Sequence, residues 1–437
     1  MPRKKIKNLQ APRGTYDILP ENQIYWDKIR RVVKELGEDY GFLRIDTPII
    51  EDTDLFIRGT GQTTDIVQKQ MYSFKTLGGD SLTLRPEGTP GVIRAYIENG
   101  MINLLHPLKF YYFGPMFRYE HPQAGRYRQF YQFGFETIGG QEPVLDVQLI
   151  QLFLHILRDL GLKKINVQIN SLGCPECRPA FRRALVDYYR SRKNKLCPNC
   201  QKRLKINPLR LLDCKEEKCQ PVKASAPMSL DYLCSQCHNH FKSVLEFLDE
   251  LEIPYFLNHQ LVRGLDYYTK TVFEVWPESN QGPAENQDTK EPISLGGGGR
   301  YDNLVKRLGG KPTPAAGFAA GIERIISLIK QQGMKIPSKS NPKVFLVQLG
   351  ELGQRKSMKL FEELHKAEIK VAESISKPSI KSQLKIADKI GVRFSLIVGQ
   401  QEALDRSVII RDMQSGVQET VPRDKVVKEL KKRLSKK

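Results

Sequence analysis

The sequence predicts an α+β unit built on an antiparallel sheet, interrupted by a cysteine-rich insertion and followed by a smaller α/β domain. Three observations predict it. Two aromatic-rich runs, Lys109–Glu120 and Tyr127–Gly139, are joined by His121-Pro-Gln-Ala-Gly-Arg126, the pattern of a long antiparallel hairpin with a polar loop. All eight cysteines fall between Cys174 and Cys237. Beyond residue 343, strand-like and helix-like stretches alternate at short spacing, which predicts a small α/β sandwich.

Each element follows in order. Residues 22–40 predict an amphipathic helix, and Phe42–Pro48 leads into a strand. Arg85-Pro-Glu87-Gly88-Thr89 ends a short strand and places a carboxylate and a hydroxyl at its mouth. Leu261–Val275 reads as a strand region, and Ala316–Arg324 as a small-residue strand entering a helix. Ser294–Asp302 contains four consecutive glycines, which suit a turn or a close backbone approach. It lacks the GxxxxGK[ST] pattern of a P-loop and does not follow a βαβ unit. Residues 277–292 form a polar loop, and 331–342 read as an interdomain linker. The expected organisation is therefore 1–170, an insertion at 171–252, 253–330, the linker, and a last domain at 343–437. Within that domain strands are expected at 343–349, 369–373, 394–399 and 407–413, and a basic helix at 419–434.

Charge points to a polyanion. Sixty-nine Lys+Arg against 49 Asp+Glu give a net charge of +20. Residues 343–437 carry 21 basic against 12 acidic side chains, and residues 171–250 carry 15 against 9. Separately basic modules suit a nucleic acid touched at several points. No apolar run approaches the ~18 residues of a membrane span. The basic N-terminus has no apolar stretch behind it, so a cytoplasmic chain is expected, neither membrane-bound nor secreted.

The cysteines stand as Cys174-Pro-Glu-Cys177, Cys197-Pro-Asn-Cys200, Cys214 with Cys219, and Cys234-Ser-Gln-Cys237. In a reducing compartment such knuckles are metal ligands before they are disulfides, and eight thiolates fill two four-cysteine zinc sites. The pairing is left open by the sequence, and reduced, non-ligating thiols are the alternative.

In the second run of the hairpin, even spacing puts Gln132, Gly134 and Glu136 on one strand face, the pattern of a pocket floor. The flanking Phe130, Tyr131, Phe133 and Phe135 imply burial. Four separated arginines, Arg118, Arg126, Arg263 and Arg324, together with glycine-lined strands suit a folded triphosphate with magnesium.

At these residues the sequence resembles the bacterial-type histidyl-tRNA synthetases, a family of class II aminoacyl-tRNA synthetases, and does so over essentially the whole chain. Gly41-Phe-Leu-Arg-Ile-Asp-Thr-Pro48-Ile-Ile-Glu51 resembles motif 1, the segment from Gly114-Pro-Met-Phe-Arg118-Tyr-Glu120 through Glu136 motif 2, and Gly317–Arg324 motif 3. LVRGLDYYTKTVFEV (261–275) and GGGRYDNL (297–304) are similar to the two histidine-specific signatures. The resemblance implies a homodimer, ATP with Mg2+, L-histidine, tRNA(His), and an anticodon-binding domain at 343–437. It implies Arg118 and Arg263 as the catalytic cations at the ATP α-phosphate, with Arg126, Gln132 and Arg324 completing the ATP site. Histidine would meet Glu87, Gly88, Thr89, Gln132, Glu136, Arg263, Tyr267, Tyr268 and Tyr301. Glu136 and Tyr268 would read the imidazole, and Tyr267 and Tyr301 would form pocket walls. Gln123 and Arg128 would touch tRNA, and the cysteine segment would lie close to the acceptor arm. His121 stands where the family commonly has arginine. A regulatory relative without ligase activity is the alternative; it lacks the C-terminal domain that is present here.

Overall fold

Alternating burial along short strands, and glycines where backbones crowd, decide how this chain folds. The computed structural model describes residues 9–122, 125–279, 282–283, 294–334, 336, 342–374 and 379–435. It separates into two compact units, Met1–Ile336 and Pro337–Lys437.

The first unit is organised around one nine-stranded sheet. Its strands are β1 (Leu43–Arg44), β2 (Leu108–Phe117), β3 (Gln129–Ile138), β4 (Ile165–Ser171), β5 (Tyr255–Leu257), β6 (Thr269–Ser279), β7 (Gly296–Arg300) and β8 (Ala315–Gly321), with Gly282–Pro283 pairing onto β6. The order is β1-β2-β3-β8-β7-β6-β4-β5. Only the outer pairs, β1 with β2 and β4 with β5, are parallel. The expected hairpin is β2–β3, in register from Leu108 opposite Ile138 to Phe117 opposite Gln129.

One sheet face is apolar. Helices α1 (Gln23–Asp39), α3 (Pro143–Asp159) and α6 (Ile322–Gln331) cover it with Trp26, Ile29, Phe153 and Ile325. Phe318 stacks between Phe135 and Phe153, with ring centroids 5.2 and 4.7 Å away. The other face packs against α2 (Thr89–Glu98) and the insertion, and holds the tyrosines Tyr112, Tyr267, Tyr268 and Tyr301. The insertion is helical, with α4 (Arg178–Arg190) near its start and α5 (Ser235–Glu250) at its end.

Three sequence expectations change. The glycine run is a fully buried interior strand, β7, not a turn. A Cβ at residue 298 would lie 2.0 Å from the Gly317 carbonyl oxygen, so only glycine fits there. The strand expected from Leu261 begins only at Thr269. Residues 261–268 stay irregular because the Asp266 side chain takes bonds from Thr63 and Asn207, which hold its backbone out of the ladder. The helix expected from 419 starts at Val426.

In the second unit, β9 (Val344–Gln348), β10 (Val371–Glu373), β11 (Phe394–Val398), β12 (Ser407–Asp412) and β13 (Gln418–Pro422) form a sheet in the order β10-β9-β11-β12-β13. β13 replaces the first turn of the expected helix, because Pro422 cannot sit inside one and closes an edge strand instead. α7 (Gly350–Lys366) and α9 (Val426–Ser435) bury Leu360, Leu364 and Leu430 against one sheet face. α8 (Ile380–Ile390) buries Ala387 against the other. Among the described residues, no helix is long and apolar enough to cross a membrane.

Gly298→Ala is expected to destabilise the first unit by roughly 3 kcal/mol or more, since the clash is with backbone that cannot rotate away. Thermal unfolding of the purified variant checks this; a wild-type midpoint would show that the sheet can open at β7.

Candidate functional site

Glu136 projects from β3 away from the phenylalanine layer and is only 1% exposed. Gly317 lies opposite it in register, and a Cβ there would fall 1.8 Å from Glu136 Oε2. The Glu136 carboxylate accepts Thr89 Oγ1 at 2.6 Å and the Tyr301 hydroxyl. Burial pushes its pKa up to about 8, and neighbouring Glu87 adds to the rise against those two hydrogen bonds. Glu87, also buried, accepts Thr60 Oγ1 at 2.5 Å and the Tyr267 hydroxyl at 2.7 Å. Burial raises its pKa too, opposed by those bonds and by Arg118 and Arg263. Gly88 packs against the Tyr112 ring. Tyr268 completes the cluster, its ring 4.8 Å from Tyr267 and 6.4 Å from Tyr301. Tyr267 and Tyr301 are therefore hydrogen-bond donors to the two carboxylates as well as walls.

Beside this cluster is a cavity of about 380 Å3. Arg118, Arg126, Gln132, Arg263 and Arg324 all line it, together with Glu274. Arg118 Nε is anchored on the Pro86 carbonyl at 2.9 Å, and its guanidinium lies 5.3 Å from the Phe130 ring centre. Arg324 Nη1 donates to the Ser294 carbonyl at 2.8 Å. Burial, reinforced by Arg126 and Arg118, drives its pKa down to about 10. Arg263 is paired with Glu274 and also donates to the Gly297 carbonyl at 3.3 Å. Gln132 Oε1 is buried without a hydrogen-bond partner. Glu323 accepts the Tyr131 amide and the Tyr16 hydroxyl, both at 2.9 Å, and burial raises its pKa to about 7. Arginines held close together by backbone carbonyls, beside an unpaired amide oxygen, suit a polyanion carrying its own donors.

Arg128 lies apart from that cavity. Its amide donates to the Gly14 carbonyl at 2.7 Å and its guanidinium lies 4.2 Å over the Tyr119 ring. Gln123 falls outside the described residues. Four participants escaped the sequence reading: Thr60, Tyr16, Glu274 and Glu323. Glu274 had a signal, being the one charge in the apolar stretch Val272–Trp276. Thr60 and Tyr16 had none, because their partners lie 27 and 307 positions away.

The cysteines form two groups of four: Cys174, Cys177, Cys234 and Cys237, and Cys197, Cys200, Cys214 and Cys219. Their sulfurs lie within 4.8 Å of one another in each group, and no disulfide joins them. Cys174 Sγ is 3.6 Å from Cys177 Sγ and 3.9 Å from Cys234 Sγ, and Cys197 Sγ is 3.9 Å from Cys214 Sγ. A tetrahedral Zn–S bond of about 2.3 Å sets sulfurs about 3.8 Å apart. Backbone amides of Cys197 and Cys234 donate to Cys219 Sγ and Cys177 Sγ at 3.2 and 3.1 Å, which favours thiolate. The donor sets fit a tetrahedral soft metal.

A second, larger cavity of about 1240 Å3 adjoins the tyrosines, between the insertion and residues 262–269. Arg182, Arg183, Arg190, Arg210, Lys306 and Arg307 line it.

Comparison with known proteins agrees with this geometry. Residues 14–195 and 200–325 match the family model described as Histidyl-tRNA synthetase, and residues 343–433 that described as Anticodon binding domain. A histidine–tRNA ligase of Dehalococcoides mccartyi is 46% identical over 425 residues, covering 97% of this chain and 100% of the relative. One from Desulforamulus reducens is 45% identical over 411 residues, 94% of this chain and 96% of its own. The crystal structure of apo S. aureus histidyl-tRNA synthetase superposes with a TM-score of 0.79 at 36% identity, covering 97% of this chain and 100% of that one. The chain belongs to the histidyl-tRNA synthetase family.

Proposed function

We propose that the chain is a histidine–tRNA ligase whose amino-acid pocket is the Glu87–Glu136–tyrosine cluster and whose ATP pocket is the neighbouring arginine-lined cavity. The observation that carries this reading is their adjacency. Two buried carboxylates, with no cation bonded to them among the described residues, lie next to half-buried arginines with backbone partners.

Histidine's ammonium is met by Glu87 and Thr89, and its imidazole by Glu136 and Tyr268. An apolar analogue leaves a buried carboxylate unpaired, which is how the pocket rejects it. A carboxylate oxygen of histidine attacks the ATP α-phosphorus, and the bond from that phosphorus to the pyrophosphate oxygen breaks. Arg118 and Arg263 oppose the charge that grows on the α-phosphate oxygens. Arg324 holds the γ-phosphate and Arg126 the outer phosphates. Gln132 binds near the histidine carboxylate. Mg2+ carried in with ATP would be held by the cavity's carboxylates, Glu120 and Glu274, and would supply charge neutralisation for the departing pyrophosphate. In the second step the terminal ribose hydroxyl of tRNA attacks the histidyl carbonyl and AMP leaves. No protein side chain acts as a nucleophile; positioning and electrostatics carry the rate. The basic cleft beside residues 262–269 suits the phosphates of the incoming 3′ end, and residues 343–437 the anticodon. Gln123 and Arg128 would be tRNA contacts.

A homodimer is consistent with Leu43, Ile49 and Ile50 of the motif 1 segment being exposed at 69%, 43% and 46%. We assign zinc to both cysteine groups and place the enzyme in the cytoplasm. Histidine-dependent ATP–pyrophosphate exchange is the direct test of the activity; absence of exchange with histidine refutes it.

Arg263→Ala is expected to lower exchange by about 10²–10³. Because it also strips Glu274 of its counter-ion, Arg263→Lys is the companion variant. A lysine that preserves the melting temperature and still loses tenfold or more in exchange marks the loss as chemical.

Glu136 makes a pH prediction. Its folded pKa of about 8 lies above its unfolded value, so its protonated form is the one that folding favours. Stability from this group is present below about pH 4.5 and declines as pH rises toward 8. The ligand-free melting temperature should fall more steeply over that window in wild type than in Glu136→Gln. Histidine, by donating an N–H, should narrow the difference. Parallel profiles would contradict the assignment.

Deleting residues 343–437 should spare exchange and cripple charging of tRNA, with a flatter salt dependence of tRNA binding. Exchange and charging measured side by side on a folded truncation decide this; equal losses would make the second unit a support for the active site.

A further inference from the structure

Arg178 is a half-buried arginine to which the steps above give no role. It opens α4 directly after Cys177. Its Nη2 donates to the Tyr268 carbonyl oxygen, and its Nε is buried with no hydrogen-bond partner among the described residues. No carboxylate forms an ion pair with it among the described residues, so its position is set by the backbone and cysteine scaffold around it.

The scaffold is the first cysteine group. The amides of Cys177 and Arg178 both donate to the Cys174 carbonyl at 3.1 Å, wrapping the knuckle around the start of α4. Cys234 and Cys237, at the far end of the insertion, close the same group of four. Just before the knuckle, the Leu172 amide donates to the Lys270 carbonyl at 2.8 Å, and the Lys270 amide to the Gly173 carbonyl at 2.9 Å. Lys270 has φ +48, a conformation that needs such support. Residues 172–178 thus grip the backbone at Tyr268 and Lys270, on both sides of Thr269. Tyr267 and Tyr268 hang from that stretch.

We propose that the metal site of Cys174, Cys177, Cys234 and Cys237 is a positioning device for the amino-acid pocket, acting through Arg178 on the Tyr268 carbonyl. This rests on the histidine and zinc readings above. Arg178 is a positioning residue: it touches neither histidine nor ATP, so its loss weakens histidine binding and spares ATP.

The test uses the full-length holoprotein, with metal measured by elemental analysis, histidine binding by calorimetry, and KM values from pyrophosphate exchange. Arg178→Ala should raise the histidine dissociation constant and KM about tenfold or more, leave the ATP KM within about twofold, and retain both metals. Arg178→Lys, which keeps one donor, should recover part of the loss. Lys193→Ala removes an equal charge from an exposed position just beyond α4 and should bind histidine like wild type. Cys234→Ser should lose metal and weaken histidine, and combining it with Arg178→Ala should add little. Wild-type histidine affinity in Arg178→Ala, an equal shift in Lys193→Ala, or additive losses in the double variant each overturn the proposal. A metal-free wild-type protein overturns it through the zinc reading. Wild-type protein that binds no histidine overturns it through the proposed activity, so the three failures are told apart.

Discussion

Glu87 and Glu136 are carboxylates inside the fold whose bonded partners are hydroxyls: Thr60 and Tyr267 for one, Thr89 and Tyr301 for the other. Much of the surrounding structure exists to make this tolerable. Desolvation disfavours the charged form, and a hydroxyl donor offsets only part of that cost. The missing part is a cation or an N–H donor, which on the proposed assignment histidine would bring at both of its ends. The tyrosine hydroxyls come from positions 267 and 301, so the loop before β6 and the end of β7 must be fixed together. That requirement explains the glycine strand. β7 brings Tyr301 to Glu136 only because β6, β7 and β8 lie close enough to leave no room for a Cβ at 298.

The neighbouring cavity has the opposite imbalance. Arg118 and Arg126 both lower the pKa of Arg324, so the cations repel one another across the cavity. Backbone carbonyls of Pro86, Ser294 and Gly297 hold Arg118, Arg324 and Arg263 in place, Glu274 pairs with Arg263, and Glu120 and Glu274 offset part of the repulsion at Arg324. A polyanion would relieve this repulsion, and on the proposed assignment histidine would relieve the cation deficit of the neighbouring pocket. The two substrates would then correct opposite deficits on adjoining parts of one surface. The electrostatic field is also set before either arrives, which lowers the reorganisation needed as charge develops.

Features that depend on local pattern were legible in the sequence. The period of two in β3 put Gln132 and Glu136 on one face, and the β2–β3 hairpin followed from its aromatic runs and polar loop. The cysteine spacing announced two groups of four, but not that the first knuckle pairs with the last, because that pairing closes a loop of some sixty residues. The glycine run was ambiguous for a physical reason: glycine serves turns and crowded strands equally well, and only its neighbours Phe273 and Gly317 decide between them. Residues 261–268 looked like strand because their composition is strand-like. The side chain of Asp266, bonded to Thr63 and Asn207, overrides that tendency through contacts 203 and 59 positions away. Pro422 was readable as a break in the final helix and was passed over.

The insertion is more than an appendage to the first unit, because its core is continuous with the pocket's. Cys197, Cys200, Cys214 and Cys219 are buried in the same apolar cluster as Tyr267, Tyr268 and Tyr301. Beyond them, Asn207 bonds Asp266 at 2.9 Å, while Arg203 and Arg210 reach Asp65 at 2.8 and 2.9 Å. Those three arms end on the segments at 60–66 and 266–268, which also carry Thr60 and Tyr267. The insertion buries Phe181, Leu185, Tyr189, Leu211 and Leu212 in that shared cluster, and metal closure as proposed would tighten it further. On that reading the two cysteine groups would hold different parts: one joins the insertion's ends beneath Tyr268, and the other stiffens the arms that reach Asp65 and Asp266. Both routes converge on the residues bonded to Glu87, so order in the insertion and order in the amino-acid pocket are physically the same packing problem.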